Sequence, residues 1–255
     1  MEVVLLGTGT SQGIPVIACD CKVCQSTDPL DKRLRSSVLI KTPDTNICID
    51  AGPDFRQQML RENVKDLEAI LITHNHKDHT GGLDDVRAFN WVHKKPMDVY
   101  ARPDDLLSLK KDYRYAFNDH KYPGVPKINL KEIPKNTFDI KSLSFTPIEA
   151  MHLQMPVVGF RIGDFSYLTD ANFIKAGQIE KMKGSKVIVI NALRKQKHIS
   201  HFNLDEALDI INIINPQKAY LTHISHQMGF HKEVQKELPE NVFLAYDGLK
   251  IKMSQ

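Results

Sequence analysis

Within ten residues, Thr73-His74-Asn75-His76-Lys77-Asp78-His79-Thr80-Gly81-Gly82, the chain places three imidazoles and a carboxylate inside positions 74–79. Such groups are costly to bury unless they converge on a shared cation or lie open to water. The pattern therefore demands a fold that delivers residues 74–79 to the rim of an apolar core. Residues 69–73 read as a short apolar strand leading into the cluster, and residues 78–91 as a loop passing into a helix. Because strand side chains alternate, His74 and His76 leave the strand end on the same side. Asp78 and His79 follow as the chain turns, within reach of a second position beside the first. Imidazole mixed with carboxylate suits Zn, Mn or Fe.

Three further residues occupy the same kind of place. His152 follows a strand expected near residues 143–149, Asp170 follows one at 165–169, and His223 one at 219–222. A lone His or Asp at a strand end is ordinarily a hydrogen-bonded cap; the shared position makes all three candidate metal ligands. A separate cluster, Cys19-Asp20-Cys21-Lys22-Val23-Cys24, is too tightly spaced for a secreted disulfide framework and reads as a metal site. From the residues alone its fourth ligand is open between His226 and His231. Cys48, in an apolar run at residues 46–50, reads as a buried small hydrophobe.

The 255 residues set a length prior between one and two domains. Lys+Arg exceed Asp+Glu by 34 to 31, a net +3 that offers little to a large nucleic-acid partner or a membrane surface. No apolar run approaches the ~18 residues of a membrane span. The first residues, Met1-Glu2-Val3-Val4-Leu5-Leu6-Gly7, lack the basic segment of a signal peptide, so a cytoplasmic location is expected. Strands are also expected at 2–6, 36–41, 46–50, 98–101, 157–162, 186–190, 242–245 and 249–251. A helix is expected from Pro53, with Phe55, Met59 and Leu60 on one face, and others at 104–111, 171–182 and 231–238. The clearest begins after Asn203, a cap residue preceding Leu204, Leu208, Ile211 and Ile214. Residues 113–126 read as an irregular aromatic stretch whose tyrosines, Tyr113 to Tyr122, could overhang a pocket. Hairpins mixed with helices and no linker predict an α+β chain: one domain over residues 1–255, built from two similar halves.

The H-x-H-x-D-H motif followed by single His, Asp and His residues resembles the metallo-β-lactamase superfamily over essentially the whole chain. Closer still is the PhnP family, named for a cyclic-phosphate phosphodiesterase. Its likeness lies in Leu6-Gly7-Thr8-Gly9-Thr10-Ser11-Gln12-Gly13-Ile14-Pro15, the cysteine cluster, Ile49-Asp50-Ala51-Gly52-Pro53-Asp54-Phe55-Arg56 and Gly82-Leu83-Asp84-Asp85-Val86-Arg87. The resemblance implies an αβ/βα four-layer sandwich, two mixed β-sheets packed face to face with helices outside. It implies one divalent ion on His74, His76 and His152, a second on Asp78, His79 and His223, and Asp170 bridging them. A structural zinc on Cys19, Cys21, Cys24 and His226 is also implied, the usual makeup of a closed tetrahedral site, and so is a homodimer.

The same resemblance points to hydrolysis of small, including cyclic, phosphodiesters by a hydroxide bridging two ions, Zn or Mn with Fe an alternative. Asp78 and His201 are the expected catalytic residues. His201 stands ahead of the helix after Asn203 and would protonate the leaving group, a task suited to a pKa near neutrality. Asp50, Asp85 and Asp247 are expected to accept the second ring N–H of metal-bound imidazoles. Arg194, Lys195 and Lys197 offer positive charge to a phosphate, and the glycine-rich residues 7–13 are expected to fold back under the metal site. Two other enzyme classes share the motif. A tRNA 3′-processing nuclease would carry a long Gly/Pro-rich arm, which is missing between Trp91 and Pro126; a glyoxalase-type thioester hydrolase would end in a helical domain. A metal-stabilised binding module is the non-enzymatic alternative, and the intact ligand set weighs against it.

Overall fold

The computed structural model describes residues 1–118 and 123–253. Its first strand, Glu2–Gly7, is apolar on both faces: Val3 and Leu5 enter one buried cluster, Val4 another together with Leu6. A strand without a solvent face belongs inside a sheet covered on both sides. That sheet runs in the order Leu249–Lys252, Glu2–Gly7, Ser37–Lys41, Asn46–Ile49, Ala69–Leu71, Met97–Ala101, Ile128–Glu132. The second runs Phe173–Ile174, Leu143–His152, Met155–Ile162, Phe165–Leu168, Val187–Asn191, Lys218–Thr222, Val242–Leu244, with Phe138–Ile140 added against Leu143–His152. In both sheets the first four strands in this order pair antiparallel and every later pair is parallel. The two halves thus share one pairing scheme.

Ile40, Ile49 and Leu71 of the first sheet meet Phe145, Phe160 and Tyr167 of the second in one inter-sheet cluster. On the outer face of the second sheet, helix Leu204–Ile214 buries Leu204, Ala207, Ile210, Ile211 and Ile214 in a cluster with Ile188, Ile190 and Leu221. Each buried aliphatic side chain contributes about 2 kcal/mol. Helices Phe55–Arg61 and Arg87–His93 cover the first sheet through Phe55, Met59 and Phe89. The result is the metallo-β-lactamase fold, with sheets inside and helices outside. Parallel pairing collects the carboxyl ends of neighbouring strands at one edge, where ligands bind in such sheets. Asp50, Thr73, Asp170 and His223 all leave their strands there.

Some local expectations change. The helix expected at 171–182 is confined to Ala176–Met182, and Phe173–Ile174 is an edge strand paired with Met151 and Ala150. The Asn191 side chain bonds both the N–H and the carbonyl of Ala171 at 2.9 Å, occupying groups a helix would use. Leu60 is 63% exposed, so Phe55 and Met59, with the polar Gln58 beside them, form that helix's buried face. Strand Ile128–Glu132 has no clear apolar alternation because it lies at a sheet edge, where Asn129 and Lys131 bond Asp98. In the aromatic stretch, Arg114–Phe117 is a short helix, and the buried Tyr113 donates to the Thr80 carbonyl at 2.6 Å. The rest of that expected overhang, residues 119–122, lies outside the described residues. Among the described residues no helix is long and apolar enough to cross a membrane.

Candidate metal centre

Three residues that follow parallel strands take positive φ: Asp50 (65°), Asp170 (57°) and His223 (54°). Asp and His enter this region more readily than most residues, and such strain, on the order of 1 kcal/mol or more each, collects at functional sites. Asp50 is fully buried. It accepts Nδ1 of His79 at 2.7 Å, the N–H of Thr73 at 2.8 Å and the Thr73 hydroxyl at 2.9 Å. With its proton committed to Asp50, the Thr73 hydroxyl accepts Nδ1–H of His74 at 3.0 Å. His152 donates Nδ1–H to the Ser200 carbonyl at 2.7 Å. All three imidazoles therefore carry their proton on Nδ1, which leaves a lone pair on Nε2. The Nε2 atoms of His74 and His79 are buried without a hydrogen-bond partner, a condition rare in proteins unless something else fills it.

These atoms face one another across a small space. His79 Nε2 lies 3.1 Å from Asp78 Oδ2 and 3.4 Å from Asp170 Oδ1, and His74 Nε2 lies 3.8 Å from Asp170 Oδ2. His223 Nδ1 is 2.9 Å from Asp170 Oδ1. The rings of His74 and His76 centre 4.7 Å apart, and those of His76 and His152 5.1 Å apart. Potential ligand atoms of Asp78, His79, Asp170 and His223 lie within 4.8 Å of one another, as do those of His152, Asp170 and His201. Asp170 belongs to both groups. Burial pulls the His74 imidazole well below its usual range and keeps it neutral. Burial also opposes charge on His79, but Asp170, Asp50 and Asp78 outweigh it and favour positive charge at that ring, a demand that a cation on Nε2 meets as well as a second proton would. Burial raises Asp78 and Asp170, yet the facing imidazoles outweigh it and hold both below the usual carboxylate range. Orphaned ring nitrogens beside a surplus of buried carboxylates are a donor set that fits divalent cations.

The expected residues around this core divide. Asp50 meets its expectation by holding His79. Asp85 does not: it lines a cleft with Phe55, Arg56 and Phe89, on the helix side of the first sheet. Asp247 does not either. It accepts the Thr8 hydroxyl and the Leu34 N–H, both at 2.7 Å, and so braces the start of the glycine-rich loop. Asp85 stands only 6 residues from His79, whereas Asp50, 29 residues away, makes the contact, so the fold and not sequence distance decides such partners. Arg194 is engaged by the Gln227 side chain and the carbonyls of Gln196 and Lys197, and Lys195 pairs with Glu237 at the surface. His201 is brought in, its ring 4.6 Å from His152 and 4.9 Å from His223. Burial, then the neighbouring His223, draws it down to about 3, so its resting value is not near neutrality.

Three positions escaped notice in the sequence. Thr10 and Ser36 place hydroxyls 3.3 Å and 3.2 Å from the two ring nitrogens of His223, so the residue 7–13 loop does fold beside the site. Asp105, on helix Pro103–Asp112, is buried and pushed up to about 6 by that burial, and it accepts the backbone N–H of Asn75. The Asn75 side chain donates to Ser108 at 2.8 Å, so one helix anchors the residue between His74 and His76. Asp105 sits nearly thirty positions from the motif with nothing in its local pattern to mark it.

The cysteine cluster closes on His226. Its Nδ1 lies 3.3, 3.2 and 3.5 Å from the sulfurs of Cys19, Cys21 and Cys24. A tetrahedron with Zn–S of about 2.3 Å and Zn–N of about 2.0 Å has S···N edges near ~3.5 Å, so these four groups fit zinc. The Cys24 N–H bonds Cys21, which with His226 draws that thiol down to about 6, the range in which thiolate ligands form. His231 stands elsewhere, its Nδ1 3.1 Å from the buried Arg33 guanidinium.

Residues 45–224 match the family model of the beta-lactamase superfamily domain. A solved structure described as a new diphosphatase from the PhnP family superposes with a TM-score of 0.93. It is 35% identical and covers 99% of this chain and 98% of its own. The chain belongs to the PhnP family of the metallo-β-lactamase superfamily. A Porphyromonas gingivalis protein named octanoyltransferase is 41% identical over 253 residues, 98% of this chain but 51% of that protein. This PhnP-family chain thus spans about half the length of that relative. Zinc-bound PqqB from Methylobacterium extorquens, 19% identical, superposes at a TM-score of 0.78 over 99% of this chain and 100% of its own, a likeness of fold.

Proposed function

We propose that residues 1–255 form one catalytic domain, a metal-dependent phosphodiesterase that hydrolyses small phosphodiesters, cyclic ones included. The observation that carries this reading is the convergence of imidazoles whose Nε2 atoms lack partners upon a shared carboxylate, Asp170. His74, His76 and His152 would hold one divalent ion, Asp78, His79 and His223 a second, with Asp170 between them. When bound, the ions supply Lewis-acid activation of water and neutralise phosphate oxygens. The protein's part is positioning. Asp50, Thr73 and the Ser200 carbonyl hold three ring protons outward, so that the coordinating lone pairs need no reorganisation. His201 rests neutral. In that form its ring N–H can donate a hydrogen bond to the departing alkoxide.

The diphosphatase relative favours a second reading, hydrolysis of a phosphoanhydride, which the same arrangement could serve because both reactions displace at phosphorus. The octanoyltransferase name belongs to a protein of which half lies outside the match. Here Cys48 is buried with its thiol pushed up to about 12, and the other three cysteines surround His226 as a metal-binding set would. The test is a panel of bis(p-nitrophenyl) phosphate, 2′,3′-cyclic nucleotides, a dinucleoside diphosphate, pre-tRNA and a glutathione thioester, run with native protein and Asp170→Ala. Turnover of the diesters, lost by 100-fold or more in the variant while the cysteine-site metal is retained, supports the reading. Turnover of only the thioester or the anhydride, or an unaffected variant, overturns it.

A further inference from the structure

The segment that carries His201 is held by its backbone. The Ile199 carbonyl accepts the Asn172 side chain at 2.9 Å, the Ser200 carbonyl accepts Nδ1–H of His152 at 2.7 Å, and the Phe202 N–H donates to the Ala171 carbonyl at 2.7 Å. Ala171 and Asn172 directly follow Asp170, so the segment is tied to the strand end that supplies the shared carboxylate. The His201 ring has no such tie. It is 8% exposed, and its Nδ1 is buried with no hydrogen-bond partner among the described residues. The orientation of such a ring is set by what packs against it. Three imidazoles do so, His152 at 4.6 Å, His223 at 4.9 Å and His198 at 5.3 Å between ring centres. His152 and His223 belong to the groups of converging ligand atoms; His198 belongs to neither.

Ser200 fixes the His198 ring in turn. Its N–H donates to His198 Nδ1 at 3.3 Å, and its hydroxyl lies 3.2 Å from the same atom. A backbone N–H can only donate, so Nδ1 carries a lone pair and the ring proton sits on Nε2. Ser200 therefore grips two imidazoles at once, His152 through its carbonyl and His198 through its N–H and hydroxyl. We propose that His198 is a positioning residue, its ring seating the His201 imidazole so that the His201 N–H meets the departing alkoxide. This role rests on the phosphodiesterase reading and deepens it. A donor that loses its alignment is missed only where the leaving group needs it. Nitrophenolate is a stable anion and departs unaided, whereas a ribose alkoxide is strongly basic and does not.

The experiment measures kcat and KM for a 2′,3′-cyclic nucleotide and for bis(p-nitrophenyl) phosphate, with metal content followed by elemental analysis. Native protein is compared with His198→Ala, His198→Phe, His198→Asn and His201→Ala. His198→Ala is expected to lower kcat on the cyclic nucleotide by about tenfold or more, and on the nitrophenyl diester by no more than about twofold. KM and metal content should hold. His198→Phe, which restores a ring against His201, should recover most of the loss; His198→Asn, which restores only an acceptor for Ser200, should not. Equal losses on the two substrates, recovery by Asn in place of Phe, or an unchanged His198→Ala overturns the role of His198 and leaves the phosphodiesterase reading standing. A His201→Ala variant that slows both substrates equally removes His201 from the leaving group, and the role of His198 falls with it. No diester turnover by native protein overturns the phosphodiesterase reading and this role together.

Discussion

Asp50 illustrates how much a single buried carboxylate carries. Through direct and relayed hydrogen bonds it sets the tautomers of His79 and His74. Asp50→Ala should weaken active-site metal binding by about 10–100-fold, measured by competition with a chelator, while the cysteine-site ion stays bound. His231 supports a prediction about pH. Burial, with the Arg33 charge beside it, holds this imidazole down at about 4, below its ordinary 6.5. The unfolded chain therefore takes up a proton between pH 6.5 and 4 that the folded chain refuses, so stability falls as pH falls through that window. In denaturant melts, His231→Gln should lose about 2 kcal/mol less than native protein across it. Of the three carboxylates expected to support the imidazoles, only Asp50 does so. Asp85 and Asp247 have the same local look, one residue type near a strand end or turn, and nothing local separates them.

At the scale of elements, the helix after Asn203 was legible because its signals are local. The Asn203 side chain accepts from the Glu206 N–H at 2.9 Å, and Glu206 returns the bond to the Asn203 N–H at 3.0 Å. Asn203→Ala should cost about 1 kcal/mol of stability, read as a lower thermal midpoint. It should also depress kcat, since His201 enters this helix two residues earlier. Phe173–Ile174 was illegible for the opposite reason. Its strand state depends on Asn191 seizing the backbone of Ala171 and on pairing with Met151, contacts made across twenty residues. Ile128–Glu132 was hidden by its polar edge position. Buried strands announce themselves by apolar runs; edge strands are defined by the neighbour they join.

Over the whole molecule, the metal inventory is the most direct check. About three divalent ions per chain are expected if both centres fill, measured by elemental analysis after gel filtration. Cys21→Ser should lose one of them and lower the thermal midpoint, because a structural zinc contributes its binding energy to folding. His226 and His223 share one short turn, which bridges back to the glycine-rich loop through Gly9 and Ile224. Activity should therefore fall with the cysteine-site ion, although no cysteine touches the catalytic group. By itself the sequence determined the chemistry available: which residues could ligate, their positions at strand ends, and the layered fold, since these follow from spacing, alternation and residue type over short spans. Only the tertiary structure decided the partners. The selection of Asp50 over Asp85 and Asp247, and of Asp105 behind Asn75, turned on contacts between distant segments, as did the closure of the cysteines on His226, which the family resemblance had already implied. Such contacts are set by sheet register and layer packing, where a shift of one residue would turn each side chain to the other face.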